Sequence, residues 1–303
     1  MMLFREQRGF ALVLVIAVLS VLALLAAAIA AQTRSTALGA RSRLEMVEAR
    51  TLADSGVTLA IMHLFDRAEA TRWQADGTMH EERYGDGTIR ITVEDEAGKV
   101  DLNNAPKEIV AGLIGEFASA DQASALADAI LERRASFTPT PQRAGRIFTA
   151  GLPSLQTLGA LPFSDVSELR LIPGMSSALY DQLVPYVTVY SQSPMLNRQT
   201  APRTALLAIP NVTPGDVDAI MASRGLPETV APSQLSALAR YTSIGNLQAV
   251  TIIAEAIRAG GISFTREAVV AISPETLGAP RLLRWRQRAG GEDRVADADQ
   301  EGD

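Results

Sequence analysis

The chain has 303 residues and a formal net charge of −6, from 28 basic and 34 acidic side chains. It has no cysteine and only two histidines, His63 and His80, which excludes a disulfide framework, a cysteine nucleophile and a thiolate or multi-histidine metal site. The acidic balance gives no bulk support to a nucleic-acid partner, and the length suits one ordinary domain with appendages or two modest lobes.

Residues 10–31 (FALVLVIAVLSVLALLAAAIAA) are an apolar run broken only by Ser20. As a helix the run spans roughly 33 Å, about one hydrocarbon core. It is longer than the apolar part of a secretory signal peptide, about 7–15 residues. A plain membrane anchor is one reading. The other comes from Arg5, Arg8 and Gly9, which stand directly against Phe10 with no polar spacer. This short basic leader resembles a type IV prepilin signal, and its arginines would hold the N-terminus inside the cell. The resemblance implies that a prepilin peptidase cuts after Gly9 and that Phe10 becomes the N-methylated first residue of the mature chain.

The helical pattern continues past the membrane. Ala49, Ala53, Val57, Ala60, Ile61, Leu64, Phe65 and Ala68 recur at steps of three and four, one helical stripe, and no proline occurs before Pro106. The expected helix runs from Phe10 to about Ala70. After a turn at Gly85-Asp86-Gly87, Ile89, Ile91 and Val93 alternate with polar residues as a half-buried strand. Further strands are expected at 241–246, 249–257 and 262–272. Strands at both ends of the soluble part suggest one antiparallel sheet split by an insertion, residues 102–238, that reads as short helices.

The insertion contains a repeat. Leu102-Asn103 and Ala105-Pro106 recur as Leu196-Asn197 and Ala201-Pro202, and Asp128-Ala129-Ile130 with Arg134 recurs as Asp218-Ala219-Ile220 with Arg224. Between them, Val166–Leu171, Pro173-Gly174 and Ser177–Leu183 resemble a helix-hairpin-helix unit. Such hairpins offer backbone N–H groups to a phosphate. Here the turn Ile172-Pro173-Gly174-Met175 has one glycine, Ile209-Pro210-Asn211-Val212 has none, and no lysine is near either. A structural module is therefore expected, with no nucleic-acid partner. No enzyme motif is present: there is no phosphate loop, no Gly-x-Ser-x-Gly and no His-Glu-x-x-His. Glu94, Asp95 and Glu96 read as a solvated corner, and neither histidine has a partner in view. Residues 280–303, with Trp285 among four arginines and then an acidic run, read as disordered.

The order of these elements is similar to that of the protein K family of the type II (general) secretion pathway, the large minor pseudopilins. The features that carry the resemblance are the Gly-Phe leader, the long helix, residues 96–105 (EAGKVDLNNA), Ser167-Glu168-Leu169 with Ile172-Pro173-Gly174-Met175, Leu196-Asn197 with Thr200-Ala201-Pro202, and the closing meander. The match covers roughly residues 5–275. It implies an α+β fold with a transmembrane helix and a pilin-like antiparallel sheet interrupted by an inserted all-helical domain. The segments would be leader 1–9, transmembrane helix 10–31, periplasmic helix 32–72, pilin-like lobe 73–101 and 239–279, helical domain 102–238 and tail 280–303. It also implies a single pass through the inner membrane with the soluble part in the periplasm. Implied partners are prepilin peptidase, the minor pseudopilins I, J and H, and secreted substrates at the tip of a pseudopilus. A type IV pilus minor pilin and a membrane-anchored DNA-uptake protein are the other readings. No cofactor is expected. Family members can hold calcium with loop carboxylates, but residues 133–164 contain no acid and include Arg133, Arg134, Arg143 and Arg146, so that site is expected to be weak or absent. Most pilin-like chains carry a glutamate at mature position five, whereas Leu14 stands there in this chain, as in the protein K family.

Overall fold

The computed structural model describes residues 8–136, 162–224, 236–244, 247–272 and 280–288. One helix, α1 (Arg8–Leu64), contains 57 residues and is about 86 Å long at 1.5 Å per residue. From Leu12 to Ala31 it is apolar on every side apart from Ser20, and exposed. Its C-terminal half buries Ala49, Leu52, Ala53, Val57 and Ala60, as the spacing requires. The helix stops at Leu64, short of Ala70, because Asp66 turns the chain. Its carboxylate accepts from the backbone N–H of Ala68 and from Thr71 Oγ1, and Trp73 then donates its backbone N–H to the His63 carbonyl at 3.2 Å.

The buried stripe of α1 lies on a five-stranded antiparallel sheet. Its strands are β1 (Asp76–Tyr84), β2 (Gly87–Asp95), β7 (Ala249–Arg258), β8 (Ser263–Ala271) and β9 (Arg281–Arg288), in the order β1-β2-β7-β8-β9. Alternation places Ile89, Ile91, Val93, Ile252, Ala254, Phe264 and Val270 on the helix side. Gly56 lets α1 approach closely, since a Cβ there would stand 2.8 Å from Ile89 and 3.0 Å from Ala254. The strand at 281–288 corrects the expectation of disorder from residue 280. Its arginines meet acids of the fold: Arg286 pairs with the buried Glu267 at 2.7 Å and Arg284 with the half-buried Asp165 at 3.2 Å. A charge-rich strand is stable here because its counterions lie inside the fold. Residues 289–303 lie outside the described residues.

Between β2 and β7 the chain builds the inserted domain. Its elements are β3 (Val100–Asp101), α2 (Lys107–Gly115), α3 (Ala120–Ser136), α4 (Ser177–Leu183), β4 (Val187–Thr188), β5 (Leu196–Asn197), α5 (Arg203–Leu207), α6 (Pro214–Ala222), α7 (Ser236–Ala239) and β6 (Thr242–Ser243). The helices are joined by two short parallel ladders, β3 with β4 and β5 with β6, which the sequence did not suggest. The repeat is structural, with its register adjusted: Val100–Asp101 corresponds to Leu196–Asn197. In each copy an arginine in the last turn of the second helix or just past it clamps the carbonyls of the opening turn. Arg134 donates to Leu102 and Ala105, and Arg224 to Arg198 and Ala201. In each copy the first residue of the first helix pairs with an aspartate of the second, Lys107 with Asp128 and Arg203 with Asp218. The copies meet where Gly112 of α2 crosses Ala208, just past α5, so closely that a Cβ on Gly112 would lie 2.1 Å from the Ala208 carbonyl oxygen.

The insertion packs on the sheet face opposite α1, where Ala249, Val269, Ala271 and Leu283 join its core. The sheet also has a direction. Its β2 and β7 ends at Gly87 and Arg258 lie by Leu52 and Glu48, and Gly260 lies by Glu45, toward the apolar end of α1. The chain leaves the sheet for the insertion at Asp95 and returns at Ala249, which is the opposite end.

Candidate functional site

Three features could carry function. The first is the membrane half of α1. Gly9 and Phe10 lie in the first turn of α1. Leu14 is 55% exposed among other exposed apolar side chains. No acidic residue occurs in residues 10–31.

The second is a groove of about 640 Å³ beside the soluble half of α1, over β1. Val47, Thr51, Ser55, Thr58 and Met62 form its helix wall, with Tyr84 and Ile89 opposite. Those helix positions recur at steps of four and three, so they are one face, and it is not the face that covers the sheet. Small residues line its centre, while Val47 is 58% and Met62 66% exposed. The groove is thus shaped for an elongated apolar partner. Sequence periodicity did not reveal it, because an exposed stripe of Thr and Ser reads as an ordinary solvated face.

The third is the junction of sheet and insertion, and here the solvated-corner reading is corrected. Asp95 and Glu96 are each only 3% exposed. Asp95 caps the turn that follows β2 by accepting from the Ala97 backbone N–H at 2.9 Å. Its other oxygen accepts from Asn197 Nδ2 and Thr200 Oγ1, both at 2.8 Å. Glu96 accepts from Lys99 Nζ at 2.7 Å, from Thr251 Oγ1 at 2.6 Å and from Thr188 Oγ1. Lys99 also pairs with Glu94 at 2.8 Å. Asp101 accepts five hydrogen bonds, from the backbone and side chain of Asn104, the backbones of Asn103 and Gln192, and Ser191 Oγ. Burial pushes Asp95 and Asp101 up from the usual carboxylate range, against the donors that favour the ionised form. Burial opposes the charge on Lys99, but Glu94 and Glu96 outweigh it and raise its pKa. Every acid in this group has donors of its own, so the arrangement fastens two lobes and presents no free nucleophile or base. Among the described residues no group of three or more His, Asp or Glu side chains is placed to hold a metal. Most of the stretch scanned for calcium ligands, 137–161, lies outside the described residues.

The hairpin at Ile172-Pro173-Gly174-Met175 has Gly174 at φ +87°, a conformation that favours glycine. It packs toward Leu126 of α3, and the first turn of α4 is capped by its own Ser176 hydroxyl. The histidines are not partnerless, since both stack on Trp73.

Residues 93–192 match the family model described as type II secretion system (T2SS), protein K. The type II secretion system protein K of Klebsiella pneumoniae is 27% identical over 268 residues, covering 80% of this chain and 81% of that one. The chain is thus similar to type II secretion protein K over most of its length. A chain in the crystal structure of the GspK–GspI–GspJ complex from the enterotoxigenic Escherichia coli type 2 secretion system shares the fold. It has a TM-score of 0.57 and 17% identity, and the match covers 82% of this chain and 99% of that one. These likenesses support a type II secretion minor pseudopilin, and the N-terminal apolar helix is consistent with a membrane anchor.

Proposed function

We infer that this pseudopilin stands at the tip of the type II secretion pseudopilus, starts its assembly with the minor pseudopilins I, J and H, and so supports protein export. The observation that carries the reading is the position of the insertion. It leaves and rejoins the sheet at the end farthest from the apolar half of α1, and there it occupies the space into which a further subunit would stack. Leu14 agrees with this position. A carboxylate within lipid persists only with a partner, and a subunit with none above it has no N-terminal amine to pair with one. The α1 groove supplies the contact: subunits anchored in one membrane bring their helices alongside it. In this reading the apolar helix crosses the inner membrane once, the rest lies in the periplasm, prepilin peptidase cuts at Gly9–Phe10, and no catalysis or cofactor is involved. The test is site-specific cross-linking from Ser55→Cys, in the groove, to the minor pseudopilins in cells. Capture of I or J from Ser55, and not from an exposed site such as Asp121→Cys on the insertion, is the expected result. Equal capture from both sites would overturn the docking assignment.

A further inference from the structure

His63, Trp73 and His80 form one continuous stack. The rings of His63 and Trp73 have centroids 4.4 Å apart and are inclined by 5°; those of Trp73 and His80 are 3.9 Å apart and inclined by 3°. Three separate segments meet in it: the end of α1, the return loop and edge strand β1. Of the nine residues of β1, only His80 is not exposed. This ring is therefore the strand's buried side-chain tie, beside the backbone ladder to β2 and the exposed Glu81–Arg90 pair.

The two imidazoles have different surroundings. His63 Nδ1 lies 3.2 Å from the Thr71 carbonyl oxygen, so it donates there. The Asp66 carboxylate is close by, held by Thr71, and Arg72 is engaged with the Asp66 and Arg67 carbonyls. His80 Nε2 is buried and has no hydrogen-bond partner. From β2 it is faced by Ile91, from the loop by Trp73, and along its own strand the next residue on that face is the exposed Glu82.

We propose that the stack is a proton-sensitive latch on edge strand β1, in which neutral His80 is held against Trp73 and protonated His80 is not. Histidine is the side chain that changes charge near neutrality. A proton on Nε2 creates a buried cationic N–H with no acceptor, and that cost outweighs the attraction of a cation to the indole face. Once His80 leaves, β1 is held by its ladder and the exposed Glu81–Arg90 pair. Tyr84, the last residue of the same strand, lines the groove, so loosening β1 loosens that wall as well. The latch rests on the stack and the unpartnered nitrogen, whatever the groove binds.

Hydrogen exchange on the full chain in detergent, between about pH 7.5 and pH 5 and corrected for intrinsic rates, tests this directly. The expected result is a loss of protection across β1 of about tenfold on acidification, with β7 and β8 unchanged as the internal check on folding. His80→Phe keeps an aromatic ring but cannot take a proton, and should remain protected at both pH values. His80→Gln should be poorly protected at both. Equal protection of the parent protein at the two pH values, the same acid loss in His80→Phe, or neutral-pH protection in His80→Gln matching the parent would each overturn the proposal.

Discussion

Replacing Glu96 with alanine should be far more damaging than replacing Glu94, although both carboxylates contact the same Lys99. The two contacts are alike in length, 2.7 Å and 2.8 Å. The Glu96 side chain is 4% exposed and that of Glu94 is 26% exposed. Glu96 also receives the hydroxyls of Thr188 and Thr251, one from the insertion and one from the sheet, both buried. Truncation at 96 leaves these two hydroxyls without an acceptor and removes half of the counter-charge around a buried ammonium. Breaking a buried pair costs about 3–5 kcal/mol, and the surviving Glu94 contact places the expected loss near the middle, about 4 kcal/mol. Glu94→Ala removes a partly screened pair and should cost about 1 kcal/mol. Thermal unfolding of the full chain in detergent should therefore show a drop of roughly 8–16 °C for Glu96→Ala and about 2–4 °C for Glu94→Ala. Losses within about 1 kcal/mol of each other would refute the claim that burial and the two threonines make the junction.

Gly112→Ala should cost about 2–4 kcal/mol, because the added Cβ strikes a backbone carbonyl. For the same reason Ala208→Gly in the same chain should restore little, and full rescue in denaturant unfolding would contradict the backbone origin of the clash. Mass spectrometry of the membrane-extracted protein should find Phe10 at the N-terminus and methylated, and Gly9→Val should retain the leader. An intact Met1 or Met2 start in cells with active prepilin peptidase would end the prepilin reading. Calcium titration of the full chain should show no site of micromolar affinity, given a stretch 133–164 with no acid; binding at that affinity would contradict it.

The elements with a strong period were legible in the sequence: the helix stripe from Ala49 to Ala60, the alternation at Ile89–Val93 and the strands at 249–257 and 262–272. Local chemistry decided what periodicity could not. Asp66 ends α1 early through an Asx-type turn, a signal that an uninterrupted apolar stripe hides. Glu94-Asp95-Glu96 and the arginines of β9 looked solvated because charged residues are seldom buried without partners. Their partners, Thr188, Asn197, Thr251 and Asp165, lie tens of residues away in sequence. Asp101 and Asn197 each accept the backbone N–H two residues on, and Arg134 and Arg224 each donate to the alanine carbonyl of Ala105 or Ala201, which is why the motifs recur. Both motifs build an opening turn, and a two-residue shift in register separated the sequence match from the structural one. The groove face was the hardest to read, since Thr51, Ser55 and Thr58 gain meaning only when Tyr84 and Ile89 stand opposite.

The position of the protein in the assembly is tested most directly by labelling it in place. With an epitope tag on the insertion, immunogold labelling of pseudopili assembled in cells that overproduce the major subunit should mark one end of each filament and leave the shaft bare. Label distributed along the shaft would contradict the tip assignment, together with the account of Leu14 and the membrane-distal insertion on which it rests.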